Sequence, residues 1–214
     1  SNNFTTLQEF TADSDKAGGK VDVQVSPRLA LFGRYGFRNL DTFDQPNIPL
    51  PSGGAGNGAI YAENRQLALG ATWVSTPTSL LEVRFGFSRT QAGKNPPALG
   101  GASAFDEFGL RGLPSDPRIS GGLPTQLISG YSDLGRQATN PQWQYPTVYN
   151  PKVNYTWLRD AHSFKAGYEF QKIDTEVQDV NPLYGRDTYN GSFTRPPGAA
   201  ASNLYNLADF MLGL

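Results

Sequence analysis

The sequence predicts an all-β protein of antiparallel, up-and-down strands, with long irregular loops and a short C-terminal helix. The first observation is a strict alternation of apolar and polar residues in several long segments, which is the period of a strand with two different faces. The second is the composition. The 214 residues include 24 glycines and 16 prolines, and only 38% are hydrophobic, a profile that favours strands and turns over helices. The third is that short turns alternate with long loops along the chain.

The clearest alternation forms a hairpin around the polar turn Arg159-Asp160-Ala161. The apolar positions of its first arm are Tyr149, Pro151, Val153, Tyr155 and Trp157. Those of its second arm are His162, Phe164, Ala166, Tyr168 and Phe170. Each arm reaches roughly a dozen residues, whereas strands in soluble proteins average about 5–6. The length of the arms therefore favours a sheet that spans a thick layer.

Two further hairpins precede it, and they turn at Pro27-Arg28 and at Thr76-Pro77-Thr78. The apolar face of the first carries Val21, Val23, Val25, Leu29, Leu31, Gly33, Tyr35 and Phe37, with Phe32 as the one misfit on its polar face. The second spans about residues 60–90 and carries Leu67, Leu69, Ala71, Trp73, Leu81, Val83, Phe85 and Phe87. Residues 1–19 are predicted to be a loop and the approach to the first strand.

Three long connections rich in Pro, Gly and Asn separate these hairpins, at about residues 39–59, 91–143 and 179–188. The second is longer than compact domains usually tolerate without a functional reason. It contains residue types suited to ligand binding, namely Arg111, Arg118, Tyr131, Arg136 and Trp143. The alternative interpretation is a loop that packs on itself or on its neighbours. A short strand is predicted at 189–194 and a helix at 202–214, where apolar residues recur at helical spacing.

The layout of connections indicates a membrane barrel, because outer-membrane barrels have short periplasmic turns at one end and long extracellular loops at the other. Aromatic residues cluster near both ends of the apolar face, as membrane–water interfaces select. They are Trp73, Trp157 and Phe164 at the turn end, and Phe37, Phe87, Tyr149 and Phe170 at the loop end. The charged residues of the opposite face would line a wet lumen, and these are Arg34, Glu82, Arg84, Lys152, Lys165 and Glu169. We therefore expect a protein of the bacterial outer membrane, with the lipid bilayer as partner.

A soluble β-sandwich that binds carbohydrate is the alternative function, since alternation alone does not distinguish a sandwich strand from a barrel strand. The aromatic residues of such a binding module should form one exposed platform. In this sequence they are spread along whole strand faces, which favours the barrel.

Enzymatic and nucleic-acid-binding functions are not supported by the residues. The net charge of −1 and the pI near 5.8 provide no basic surface for nucleic acid. No cysteine is present, and His162 is the only histidine, so thiolate and multi-histidine metal sites are excluded. No Gly-x-Ser-x-Gly nucleophile motif occurs. We predict a non-enzyme without catalytic, cofactor-binding or metal-binding residues, and the pattern singles out no established ligand-binding residue.

Three segments resemble the barrel of TonB-dependent outer-membrane receptors. They are LFGRYGF at 31–37, HSFKAGYEF at 162–170 and NLADFMLG at 206–213. The resemblance is to the Oar-like group in particular, which carries a carboxypeptidase-regulatory-like domain ahead of the plug. It implies a barrel of about 22 strands, a plug, a periplasmic TonB box, and uptake or transport of an extracellular substrate driven by the inner-membrane proton gradient.

The resemblance covers most of the chain but includes no plug or TonB box, so the TonB complex would be reached through missing parts of the chain. About six long strands are fewer than the eight of the smallest barrels. We therefore expect residues 1–214 to form a partial transmembrane β-barrel domain, an excerpt of a longer protein.

Overall fold

The computed structural model describes residues 4–54, 56 and 58–214. Its large sheet contains β1 (Phe10–Ser26), β2 (Leu29–Asp44), β3 (Gly58–Thr76), β4 (Ser79–Asn95), β6 (Gln142–Arg159), β7 (His162–Glu169) and β8 (Lys172–Gln178). Two short strands lie outside it, β5 (Thr125–Ile128) and β9 (Arg186–Tyr189). The helices are α1 (Ala104–Phe108) and α2 (Asn203–Leu212).

The strands of the large sheet lie in chain order, β1-β2-β3-β4-β6-β7, and every neighbouring pair is antiparallel. The strand β8 pairs with the other end of β6. This is the predicted up-and-down topology, so the fold class is confirmed. The three predicted turns are confirmed as well, and at the third Asp160 adopts φ 52°, a left-handed conformation that Asp tolerates better than most residues.

The strands are longer than the alternation predicted. Residues 1–19 do not form a loop up to the first strand, because β1 already begins at Phe10, opposite Asp44 of β2. The loops predicted at 39–59 and 91–143 shorten accordingly to the segments between β2 and β3 and between β4 and β6. These strand ends carry polar residues on both faces, so they show no apolar period. Their backbone groups still pair, since ladder hydrogen bonds do not depend on side-chain polarity.

Pro151 explains why the last arm is divided into β7 and β8. Lys152 pairs with Glu169 and Tyr149 pairs with Lys172, so the register is unchanged across the interruption. Pro151 has no N–H to donate to the carbonyl of Phe170. The side-chain amide of Asn150 donates to that carbonyl instead, at 3.1 Å, and the N–H of Phe170 donates to the Pro151 carbonyl at 3.0 Å. The two strands therefore act as one long arm.

The register aligns the apolar rows of all six arms on one face. Typical neighbours are the pairs Leu69–Phe85 and Val83–Val153. This face is left open to the surroundings: Val21 is 63% and Tyr168 is 66% exposed. The buried apolar residues of the described chain include Ala104, Ile128, Tyr184, Pro124 and Pro141, and these lie outside the large sheet. Across the described residues, no second sheet packs on the apolar face as a sandwich would require.

Phe32, the apolar residue on the polar face, is accommodated by a glycine. Its ring lies over Gly70 of β3, where a Cβ atom would collide with it. The ammonium of Lys20 is 5.6 Å from the ring centroid, a distance at which a cation is attracted to the ring face. The glycine thus gives an aromatic side chain room on a face that is otherwise polar.

The C-terminal helix is confirmed as α2, between a Ser202 N-cap that accepts from the Leu204 N–H and a left-handed Gly213. The strand predicted at 189–194 is wrong, because β9 ends at Tyr189 and pairs in parallel with the distant β5. Of the helices in the described residues, none is long and apolar enough to cross a bilayer.

The two faces of β4 predict opposite responses to substitution at adjacent positions. Phe85 lies on the apolar face and Arg84 on the polar face. We expect Phe85→Arg to destabilise the full-length protein in lipid by about 2–4 kcal/mol, and Arg84→Ala by far less. A denaturant titration of folding into lipid vesicles measures both. Equal losses would contradict the assignment of faces.

Candidate functional site

The polar face of the large sheet encloses a concavity of about 1060 Å³ over β1, β2, β3, β4 and β6. Four of the side chains that line it are cationic, and these are Lys16, Lys20, Arg34 and Arg38. Its polar neutral residues are Asn64, Gln66, Ser88 and Asn150. No carboxylate is among the described lining residues. We refer to the part formed by the four cations, Gly18, Gly36, Gln66 and Ser88 as the basic groove.

The register of β1 and β2 brings the cations together in two pairs. Lys16 lies opposite Arg38, and Lys20 lies opposite Arg34. Like charges directly across a sheet are unfavourable, so the arrangement weakens the pairing of β1 with β2. Lys20 is relieved by an ion pair with Asp22 at 2.7 Å. Among the described residues, the other three cations have no acidic partner within 4 Å.

Elsewhere on the polar face, Arg84 and Lys152 are paired with carboxylates, whereas Lys165 has no acidic partner within 4 Å among the described residues. Arg84 forms an ion pair with Glu82 at 3.2 Å, and Lys152 forms one with Glu169 at 3.0 Å. The register places these residues, with Arg34 and Lys165, on the face opposite the apolar rows. The six charged residues predicted to line the lumen therefore share one face, but only the groove carries a cluster of uncompensated positive charge.

The height of the apolar face matches the hydrocarbon layer of a membrane. On β4 it runs from Leu81 to Phe87 and gives way to Arg89, which lies opposite Arg65. Ten steps of about 3.3 Å from Ser79 to Arg89, tilted by about 40°, give a band about 25 Å tall, as in transmembrane barrels. Rings pair near its two limits, with centroids 5.4 Å apart for Phe87–Tyr149 and 5.7 Å apart for Trp157–Phe164. The strands continue beyond the band on the loop side only.

A family model described as "Outer membrane beta barrel domain" matches residues 1–214. The chain belongs to this family. No curated protein and no solved structure matched the chain. Membership places the barrel domain in the bacterial outer membrane, where lipid covers the apolar face. The predicted location is thereby confirmed.

The loops of the barrel domain fold together at the end opposite the three short turns. We call the segments 96–141 and 179–214 the loop cap. Its centre is the parallel pair β5–β9, against which α2 packs. Gln126 is buried there; its side-chain amide donates to Asp187 at 2.7 Å, and its side-chain oxygen accepts from the Tyr189 hydroxyl at 2.8 Å. Residues far apart in sequence are thus joined by side-chain hydrogen bonds.

A buried arginine connects several turns of the loop cap. The guanidinium of Arg136 donates to the carbonyls of Ile119, Gly121 and Asn140 at 2.7–2.9 Å. It also stacks on the ring of Tyr184, 4.3 Å from the centroid. Burial lowers the pKa of Arg136 to about 10, so the side chain remains charged at neutral pH. These contacts identify Arg136 as a structural residue.

Asp209 of α2 has the corresponding role for the C-terminal part of the loop cap. It is 1% exposed and accepts hydrogen bonds from the backbone N–H and the hydroxyl of Thr194, at 2.9 and 2.8 Å. Burial alone would raise the pKa of Asp209, but these bonds and those from the N–H groups of Phe193 and Gly191 outweigh it and lower the pKa. The ionised carboxylate therefore attaches α2 to residues 191–194.

The structure separates the residues that were candidates for ligand binding in the long loop. Arg111 lies over the ring of Phe105, Arg118 pairs with Asp116, Tyr131 is exposed, Arg136 is buried, and Trp143 donates to Glu176. Each has a different local environment, and no hydrogen bond, ion pair or ring contact among the described residues joins two of them. The loop packs largely on itself and on its neighbours, which was the alternative interpretation.

The groove cations Lys16, Lys20 and Arg38 were missed by sequence reasoning. The first two lie at the junction with the segment interpreted as a loop, although Lys16, Gly18 and Lys20 already follow the period of a strand. In the part of the chain that the structure describes, no three acidic or histidine side chains gather closely enough to hold a metal ion.

Replacement of Arg136 should loosen the loop cap. Arg136→Gln leaves buried carbonyls without donors, and we expect a local loss of about 3 kcal/mol. Hydrogen exchange of the amides of residues 119–141, followed by mass spectrometry, should accelerate accordingly. Arg118→Gln is the matched control, because its ion pair is exposed and contributes little. Unchanged exchange in the Arg136 variant would contradict the structural role.

The placement of the loops predicts where trypsin cuts whole cells. Arg111 and Arg118 are exposed in the loop cap, whereas Arg28 is exposed in a short turn at the other end. Trypsin added outside should cleave after Arg111 or Arg118, and should reach Arg28 only once the outer membrane is permeabilised. Cleavage at Arg28 alone on intact cells would show the opposite orientation.

Proposed function

We propose that the chain is a segment of the barrel of a TonB-dependent outer-membrane receptor, and that this receptor takes up or transports a substrate in an energy-coupled manner. The observation that carries the proposal is the pairing of a lipid-covered outer face with a concave, charged inner wall beneath a folded loop cap. Such a wall requires a wet or protein-filled lumen, since charges facing lipid near mid-membrane cost about 2–4 kcal/mol each.

The resemblance of three segments to the Oar-like group supports the specific assignment, and membership in the outer-membrane barrel family supports the setting. In this proposal the protein is not an enzyme. Its barrel binds lipid outside and substrate inside, and other parts of the protein contact the TonB complex. The six arms described here contribute one part of the barrel wall, because a receptor barrel needs about 22 strands.

The loop cap supports a receptor more than an open pore. Its two segments are joined through the side chain of Gln126, and the N–H of Gly135 donates at 2.7 Å to the carbonyl of Ser52, which lies in the connection between β2 and β3. Arg136 and Asp209 hold the remaining turns. A folded cap of this kind presents a defined surface at the cell exterior, which suits selection of a substrate before it enters the lumen.

Two measurements on the full-length protein test the proposal without knowledge of the substrate. We expect it to bind the purified periplasmic domain of TonB, and to conduct no steady ion current in a planar bilayer, because a plug closes the barrel. A stably open channel that does not bind TonB would identify a passive porin and overturn the proposal.

A further inference from the structure

We propose that the basic groove binds a soluble acidic oligosaccharide, with one anionic group held at each end of the groove. This assignment names a substrate class and rests on the proposed transport function. It depends on four observations: the excess of cations over acids on the concave face of β1 and β2, the lack of acidic partners for three of these cations, the spacing of the cations and the chemistry of the middle of the groove.

Three of the five acids of β1 and β2 lie on the face opposite the groove cations. Asp13 and Asp41 pair across the two strands, on the same face as the apolar residues, and Asp15 lies beside them. The cations of these strands lie on the opposite, concave face. Asp22 and Asp44 share the face of the four cations, and Asp22 pairs with Lys20 at 2.7 Å. Four cations against two acids leave this face of β1 and β2 with a surplus of positive charge, and a positive, partly enclosed concavity concentrates anions.

The groove is less compensated than the part of the inner wall formed by β4 and β6. Arg84 and Lys152 each have a carboxylate within 3.2 Å, whereas Lys16, Arg34 and Arg38 have none among the described residues. Opposed like charges destabilise a pair of strands. An anion placed between them would reverse that cost, because guanidinium and ammonium groups both donate charge-assisted hydrogen bonds to it.

The geometry suits two anionic groups. The pair Lys16–Arg38 lies four residues from the pair Lys20–Arg34 along both strands, which is a separation of about 13 Å at 3.3 Å per residue. Between them lie Gly18 and Gly36, directly opposite each other. With no side chains at these positions, the floor between the two cationic ends is open, and a ligand can lie along the backbone.

The middle of the groove suits hydroxyl groups. Gln66 is the neighbour of Gly36, and Ser88 is the neighbour of Gln66, so an amide and a hydroxyl border the glycine floor. Among the described residues neither side chain has a hydrogen-bond partner. Both can donate and accept, as binding to a sugar requires. Two cationic ends and a polar middle therefore match a short saccharide that carries carboxylate, sulfate or phosphate groups.

The groove is also oriented along a path from the cell exterior. Lys16 and Arg38 lie nearer the loop end of the strands. Lys20 and Arg34 lie level with Gly86 of β4, three residues inside the loop-side limit of the apolar band. A ligand that binds both pairs would extend from the loop side of the lumen towards its centre. This is the direction in which an imported solute moves.

Binding of trigalacturonate to the purified full-length protein tests the proposal, with uncharged maltotriose and the monomer galacturonate as matched ligands. Isothermal titration calorimetry at low salt should show binding of trigalacturonate, weaker binding of galacturonate and none of maltotriose. Affinity should fall as salt is added, because the contacts are ionic. The assay requires neither TonB nor a proton gradient, so its failure is distinguishable from failure of the transport function.

Variants locate the site. Arg38→Gln should weaken trigalacturonate binding about tenfold. The double variant that combines Arg34→Gln and Arg38→Gln should weaken it further. Lys16→Gln provides an independent variant at the same end. Arg84→Gln is the matched control on the same face, and it should leave the affinity unchanged. The heat-modifiable migration of the folded barrel on a gel verifies that each variant is folded.

Three outcomes would overturn the proposal. One is that the wild-type protein does not bind trigalacturonate, or binds maltotriose equally well. Another is that Arg84→Gln weakens binding as much as Arg38→Gln. The third is that the wild type binds no anion while Arg34→Gln and Arg38→Gln lower its thermal stability. That result would show that an acidic segment of the protein itself fills the groove.

Discussion

The open apolar face of the large sheet is the constraint on which the rest of the structure depends. Each arm alternates, so an apolar row on one side requires a polar row on the other. The first must be covered, and among the described residues no protein layer covers it. A bilayer supplies that cover, and every backbone group within it must then be paired inside the sheet. Pro151 has no N–H to donate to the carbonyl of Phe170. The side-chain amide of Asn150 donates to that carbonyl instead, so the carbonyl is still paired inside the sheet.

The loop cap follows a different physical rule. It has few buried apolar residues, among them Ala104, Ile128, Tyr184, Pro124 and Pro141. Its order depends instead on buried polar groups with several partners each, such as Arg136 and Asp209. Such groups stabilise only when their hydrogen bonds are made. The cap is therefore a defined structure, although its sequence has no apolar period.

The distribution of charge connects the fold with the proposed function. The same alternation that turns apolar residues towards lipid turns Lys16, Arg34 and Arg38 towards the concave face. A membrane barrel thus has an inner wall on which charge can be placed without cost from lipid. Where a cation on that wall is paired with a carboxylate, as Arg84 is with Glu82, the wall is polar but carries no net charge at that place. Where it is not balanced, it can select a ligand of the opposite charge.

The sequence by itself determined the six long arms of the large sheet, where the three short turns lie, and which residues of each arm share a face. These features are local, since the alternation of apolar and polar residues from Leu81 to Phe87 is enough to show which residues share a face. It did not reveal that β1 begins at Phe10, because polar residues occupy both faces there. Only the tertiary structure decided what pairs at long range. Gln126 meets Asp187 across 61 positions, and Lys16 meets Arg38 through the register of two strands. Both contacts depend on the path of the whole chain, which no local pattern encodes.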